Sequence, residues 1–249
     1  MATFWHLTPP YRNTPAAETF ATLKATFAAR GELINADPLC RTARVTTGRA
    51  AFYVKCYTGG GKSLRRWIGR SRVRAEWENL LLFERLGIPT PPVVAYGQKT
   101  HFGLFRYGAL VTAEVPDTRD LADLHEDNHP LLKNRQWIET VSRQVARHTR
   151  CLHQKRFGHV DLKWRNILVT MTGSPRVFFM DCPAGRIRCR SVSNRWLIKD
   201  IACLDKVAKK RLSRAQRLRF YMAYRQLPSL KPENKRQIRN VLNFFKGRE

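Results

Sequence analysis

Apolar and polar residues alternate from Ala50 to Tyr57, with Phe52, Val54 and Cys56 on one side and Tyr53, Lys55 and Tyr57 on the other. A period of two is that of a strand with one face in a core. With residues 41–47, across Gly48-Arg49, it predicts a hairpin. Residues 71–86 switch to helical spacing and stop at Gly87 and Pro89-Thr90-Pro91-Pro92. Residues 101–115 read as a second hairpin with Gly108 near its turn, ended by Glu114-Val115-Pro116. From Asp117 the pattern turns helical, and Ile138, Val141, Val145, His148 and Leu152 mark one face of a long helix ending near Arg156. Two short apolar runs, 167–171 and 176–180, flank Thr172-Gly173-Ser174-Pro175, a third hairpin signal. The remainder is helical, with Ile238, Val241, Leu242 and Phe245 in one stripe. The pattern predicts an α+β chain: a strand-rich part, a break near 114–117, and a helix-rich part.

With 249 residues and 43% hydrophobic content, the chain can bury a sizeable core, as one domain or as two lobes sharing a cleft. The balance of 46 Lys+Arg against 19 Asp+Glu, a net charge of +27, implies a polyanionic partner: nucleic acid, an anionic membrane surface or a phosphorylated substrate. Met1 to Pro10 lacks the basic and apolar regions of a secretory signal, and no apolar run approaches the ~18 residues of a membrane span. The six cysteines include no Cys-x-x-Cys pair and read as reduced cytosolic thiols. Cys151 and His153 lack the second pair that a metal site would need.

The most specific string is His159-Val160-Asp161-Leu162-Lys163-Trp164-Arg165-Asn166, between a helix and a hairpin. Its pattern, His-x-Asp-Leu-Lys-x-x-Asn, is that of a kinase catalytic loop. Phosphoryl transfer needs a carboxylate near the acceptor hydroxyl and an oxygen ligand for the metal on the nucleotide phosphates. Asp161 fits the first role and Asn166 the second, while Lys163 places a cation near the transferred phosphate. His159 reads as a brace for the loop. Asp181 ends an apolar strand fifteen residues after Asn166, where kinases carry their second metal ligand, although Asp181-Cys182-Pro183 departs from Asp-Phe-Gly. Upstream, Phe52-Tyr53-Val54-Lys55 resembles the Val-Ala-Ile-Lys strand, whose lysine contacts nucleotide phosphates and pairs with a glutamate on the next helix. Glu76 shares a helical face with Leu80 and Phe83; Glu78 points elsewhere. No G-x-G-x-x-G loop precedes Lys55, and Tyr53 replaces the small residue usual at the adenine pocket.

These segments, with Arg74-Ala75-Glu76-Trp77, Leu86-Gly87-Ile88-Pro89-Thr90-Pro91, Lys199-Asp200-Ile201-Ala202-Cys203-Leu204 and the stretch from Leu212 to Tyr224, resemble the lipopolysaccharide core kinases, the heptose and Kdo kinases, over about residues 41–224. The Gly-Ile-Pro-Thr-Pro turn also recurs in RIO-type kinases. The resemblance implies a protein-kinase-like bilobal fold, with a β-rich lobe carrying one helix over residues 1–113 and a helical lobe over 114–249. It implies ATP and Mg²⁺ as cofactors, with Asn166 and Asp181 on the metal. It also implies a hinge at residues 113–116, with Glu114 and Val115 meeting adenine through their backbone. Asp200 resembles the buried aspartate that braces the catalytic loop, a helix cap being its ordinary alternative.

Two basic regions suit an acidic glycolipid acceptor and peripheral attachment at the cytoplasmic face of the inner membrane. One is Lys62, Arg65, Arg66, Arg70, Arg72 and Arg74; the other runs from Lys206 to Arg219. Trp67 and Trp77 are too few to decide for nucleic acid, which is not the expected partner. The alternatives to a lipopolysaccharide core sugar kinase are an atypical RIO-like protein kinase and a catalytically silent kinase-like module that binds polyanions.

Overall fold

The computed structural model describes residues 1–60 and 69–247, so Lys62, Arg65 and Arg66 lie outside the described residues. The chain divides into two compact units: residues 1–82 with 90–115, and residues 83–89 with 116–249.

The first unit is built on a six-stranded antiparallel sheet: β1 (Ala2–Leu7), β2 (Glu32–Asp37), β3 (Cys40–Thr47), β4 (Ala50–Tyr57), β5 (Val93–His101) and β6 (Leu104–Ala113), in the order β1-β5-β6-β4-β3-β2. The alternation in β4 does what its period requires. Phe52, Val54 and Cys56 enter a core with Ala43, Val45, Val94 and Val111, while Tyr53 and Lys55 lie on the other face. The first forty residues, unassigned by the sequence pattern, close that core. Short helices α1 (Pro15–Thr19) and α2 (Leu23–Ala28) bring Ala16, Phe20 and Leu23 onto it, so this unit carries more than one helix. Fully burying a side chain such as Phe20 is worth ~1.5–3 kcal/mol. Strand β1 can close on β5 because position 97 is glycine: a Cβ there would lie 2.1 Å from the Phe4 carbonyl oxygen.

The hairpin between β5 and β6 turns at Phe102-Gly103, both at positive φ, and not at Gly108, which sits within β6 opposite Gln98. A type I′ hairpin turn needs positive φ at both central residues, whereas Gly108 lies in extended backbone within the strand. The helix expected from residue 71 is α3 (Arg72–Arg85), with Val73, Trp77 and Leu80 buried.

The second unit is mostly helical. Asp117 does not begin a helix; β7 (Thr118–Asp120) intervenes, and Asp120 caps α4 (Leu121–Glu126) by accepting from the N–H groups of Ala122 and Asp123. Helix α5 (Arg135–Gln154) buries Ile138, Val141, Val145, His148 and Leu152, the predicted stripe. Three short strands follow: β8 (Phe157–Gly158), β9 (Ile167–Thr170) and β10 (Val177–Phe179). Strand β9 lies between β10 and β7, and β8 pairs with β11 (Arg186–Ile187). Helices α6 (Arg190–Arg211), α7 (Arg214–Arg225) and α8 (Pro232–Leu242) complete the unit. Ala146, Ile201, Tyr221 and Tyr224 form a core there, with Ile238 and Val241 packed against it.

Candidate active site

In the first unit, Lys55 Nζ donates to Glu76 Oε1 at 2.7 Å, and the Tyr57 hydroxyl donates to the other carboxylate oxygen. Glu76 is 1% exposed. A carboxylate so buried needs such partners, and together they hold Lys55 in one orientation. Glu78 is occupied elsewhere, by Arg70 and Arg74 at 2.9 and 2.7 Å, so the helical-face argument selected the paired glutamate.

At the end of β6, the Glu114 N–H donates to the Ala51 carbonyl at 2.9 Å. Its carboxylate takes a two-pronged contact from Arg44, 2.8 Å on each oxygen, and a third bond from the Tyr53 hydroxyl at 3.2 Å. The Arg44 guanidinium beside it holds the Glu114 carboxyl below the ordinary range, so it stays ionised.

The catalytic-loop motif of the second unit is a tight structure. The Asp161 carbonyl accepts from the Lys163 N–H at 2.9 Å and from Asn166 Nδ2 at 2.7 Å. Lys163 Nζ stands 2.7 Å from Asp161 Oδ1, and Arg165 is 3.6 Å from Oδ2. Asp161 is half-buried and Asn166 is buried. With its nitrogen engaged, the Asn166 amide has Oδ1 as its acceptor oxygen. Met180 N–H donates to the Asn166 carbonyl at 3.0 Å, continuing the β9–β10 register, so Asp181 follows one residue after the position opposite Asn166.

Asp200 decides the loop's shape. It lies in the middle of α6 and is wholly buried, so it is no helix cap. Its carboxylate accepts from the backbone N–H groups of His159 and Val160, both at 2.7 Å, and faces His153 Nε2 at 3.2 Å. His153 Nδ1 meets the Tyr224 hydroxyl at 2.7 Å. Both ring nitrogens of His153 are thus engaged, and Cys151 Sγ lies against the Leu86 carbonyl, so this pair makes no metal site. His159 is wholly buried, stacked on Phe83 and edge-on to Phe179. Neither of its ring nitrogens has a partner among the described residues, and burial pushes its imidazole below its ordinary pKa. A neutral apolar-packed ring fits a brace and not a base.

Among the described residues no three His, Cys, Asp or Glu are grouped to hold a metal. Asn166 and Asp181 supply two oxygen donors. That set fits Mg²⁺, which takes one or two protein oxygens and completes its shell with phosphates and water.

The model of the lipopolysaccharide kinase (Kdo/WaaP) family matches residues 41–224. This chain belongs to that family. The matched span runs from β3 into α7 and holds Lys55, Glu76, the catalytic loop, Asp181 and Asp200. A solved structure described as WaaP in complex with acyl carrier protein matches with a TM-score of 0.74 at 21% identity, over 98% of this chain and 96% of that one, a likeness of fold. No curated protein matches. The kinase-like fold expected of the family is thus present.

His153, Tyr224, Arg44 and Tyr57 join these residues without having been legible as partners in the sequence. Each acts on a group 19 or more positions away in the chain. The basic regions are partly spent on internal contacts: Arg72 stands 4.0 Å from Asp37, and Arg217 pairs with Asp205 at 2.6 Å. Lys209, Lys210, Arg214 and Arg219 are exposed. The second unit also carries a half-open apolar pocket of about 360 Å³, lined by Trp137, Val141, Ile201, Tyr221, Ile238 and Val241. Among the described residues no helix is long and apolar enough to cross a membrane.

Proposed function

We propose that this member of the family transfers a phosphoryl group from ATP to a sugar hydroxyl, of heptose or Kdo, in the lipopolysaccharide inner core. The carrying observation is the single loop in which Asp161, Lys163 and Asn166 stand within hydrogen-bond reach of one another on the brace that Asp200 supplies. Asp161 accepts the proton of the attacking hydroxyl. Lys163 lies against the charge of the passing phosphoryl group. Lys55, oriented by Glu76, holds the nucleotide phosphates, and the chain at Glu114 and Val115 meets the adenine. Asn166 and Asp181 would hold Mg²⁺, which neutralises charge on the phosphate oxygens.

Attachment at the cytoplasmic membrane face would be peripheral and electrostatic, through exposed cations such as Lys210, Arg214 and Arg219. The net charge of +27 supports an acidic acceptor over a cationic one.

A carrier protein bearing an acyl chain is a second proposed partner, supported by the apolar pocket, whose lining suits a hydrocarbon chain. Acyl-loaded carrier should bind more tightly than unloaded carrier; equal binding removes the pocket from this role.

The kinase reading is tested with purified chain, ATP and lipopolysaccharide lacking core phosphate. ADP release should depend on the glycolipid, and the glycolipid should gain the mass of one phosphoryl group. Transfer to protein instead would favour the RIO-like alternative, and no turnover with any acceptor would favour a binding module.

A further inference from the structure

We propose that Arg44, Tyr53 and Glu114 form a preorganised surface that reads the nucleotide base and selects adenine. The inference rests on the kinase reading above, and adds Arg44 and Tyr53 to the groups that carry it.

Three observations support it. The first is placement. Arg44 pairs with Tyr53 across β3 and β4, so their side chains share a face. Tyr53 precedes Lys55 by two residues, so Lys55 lies on that face too. Two residues along a strand span about 6.6 Å, a separation that puts a base-sized platform beside the cation that holds the phosphates. The opposite face is closed to a ligand, because Phe52, Val54 and Val45 fill the core there.

The second is rigidity. Glu114 is pinned through its backbone to Ala51 and through its carboxylate to Arg44 and Tyr53. The two-pronged arginine contact fixes the guanidinium plane as well as the carboxylate. The Tyr53 ring is a group on which a flat aromatic base stacks, while the guanidinium fixes the carboxylate that meets the edge of the base.

The third is hydrogen-bond capacity. An ionised carboxylate accepts about four hydrogen bonds. Glu114 receives three, two from Arg44 and one from Tyr53, among the described residues. The remaining acceptor position suits the exocyclic amine of adenine. Guanine carries a carbonyl oxygen at the corresponding ring position, which a carboxylate repels. The absence of a small residue at position 53, which departs from the usual kinase strand, is explained by the same device: the tyrosine replaces an apolar shelf with a ring tied to the acceptor.

The test compares three ligands, ATP, GTP and inorganic triphosphate, in equilibrium binding to the full chain. The last carries the phosphates without a base. Wild-type protein should prefer ATP to GTP, and both to triphosphate. Arg44→Lys keeps the charge and loses the two-pronged geometry; it should weaken ATP by about tenfold, the worth of a charge-assisted hydrogen bond, and leave triphosphate unchanged. Glu114→Gln should bring ATP and GTP towards equal affinity. Tyr53→Phe, which keeps the ring, should retain more ATP affinity than Tyr53→Ala. Equal loss for ATP and triphosphate in the Arg44 and Glu114 variants would make the network a structural tie and overturn the inference. So would wild-type binding in which ATP gains nothing over triphosphate. If the wild type binds neither ATP nor triphosphate, the kinase reading itself fails, and this inference with it.

Discussion

Asp200 Oδ1 accepts the backbone N–H of Val160 at 2.7 Å while Val160 sits at a φ of 75°. A β-branched residue in that region is strained by ~1–3 kcal/mol, and a buried carboxylate fully exploits the N–H groups that this turn exposes. The strain sits one residue before Asp161. Asp200→Ala would leave the N–H groups of His159 and Val160 buried without an acceptor, each costing ~1–3 kcal/mol. The expected loss in urea unfolding is roughly 3 kcal/mol or more, with Asp200→Asn losing less because it keeps one acceptor oxygen. A stability unchanged to within about 0.5 kcal/mol would mean the loop does not depend on the brace.

Asp161→Ala should slow turnover by ~10²–10⁴ with ATP affinity nearly intact, since it removes proton acceptance and leaves the phosphate-holding groups in place. Steady-state rates with saturating acceptor, paired with nucleotide titration, check this. A wild-type rate would take Asp161 out of the role.

Asp181→Asn should abolish the Mg²⁺-dependent part of ATP binding, because a neutral amide is a weaker ligand for a hard cation. The measurement is an ATP titration with and without Mg²⁺ for both proteins. ATP affinity that ignores Mg²⁺ in the wild type would refute the assignment of Asn166 and Asp181.

Stability should fall with acid in a defined window. Burial pushes the His148 imidazole down to about 4, from an ordinary 6.5. It is 2% exposed, and its Nε2 has no partner among the described residues. Because the folded pKa is depressed, the unfolded chain binds the proton first. Stability is full above pH 6.5 and is lost as pH falls towards about 4. That depression corresponds to at most roughly 3–4 kcal/mol. The buried His159 acts in the same direction. His148→Phe, which keeps a ring against Phe179, should flatten the dependence of unfolding free energy on pH; an unaltered slope would contradict a neutral buried His148.

Attachment to anionic vesicles should be ionic-strength dependent, since the attraction decays over a Debye length of ~8 Å at physiological salt. Co-sedimentation at low salt and release at high salt are expected. Replacing Lys210, Arg214 and Arg219 together with glutamine should weaken it. Salt-resistant sedimentation would point to an inserted apolar surface instead.

What the sequence determined by itself was whatever repeats within a few residues. The period of two in β4 placed Lys55 opposite the core-facing Phe52, Val54 and Cys56, and helical spacing chose Glu76 over Glu78, because both patterns depend only on backbone geometry. The close grouping of Asp161, Lys163 and Asn166 was legible for the same reason: they meet through hydrogen bonds spanning at most five residues. Between two glycines, local signal misled; Gly108 looked like a turn, yet the chain turned at Gly103, where the pairing of β5 with β6 demanded positive φ. Tertiary structure alone decided the rest. Asp200 was equally a cap or a brace until α6 placed it within 2.7 Å of residues forty positions earlier. Arg44 and Glu114 are seventy residues apart, and His153 and Tyr224 seventy-one. β1 found its place only by lying along β5, against Gly97. Such partners leave no periodic trace, because they are chosen by which surfaces pack and which buried polar groups must then be satisfied.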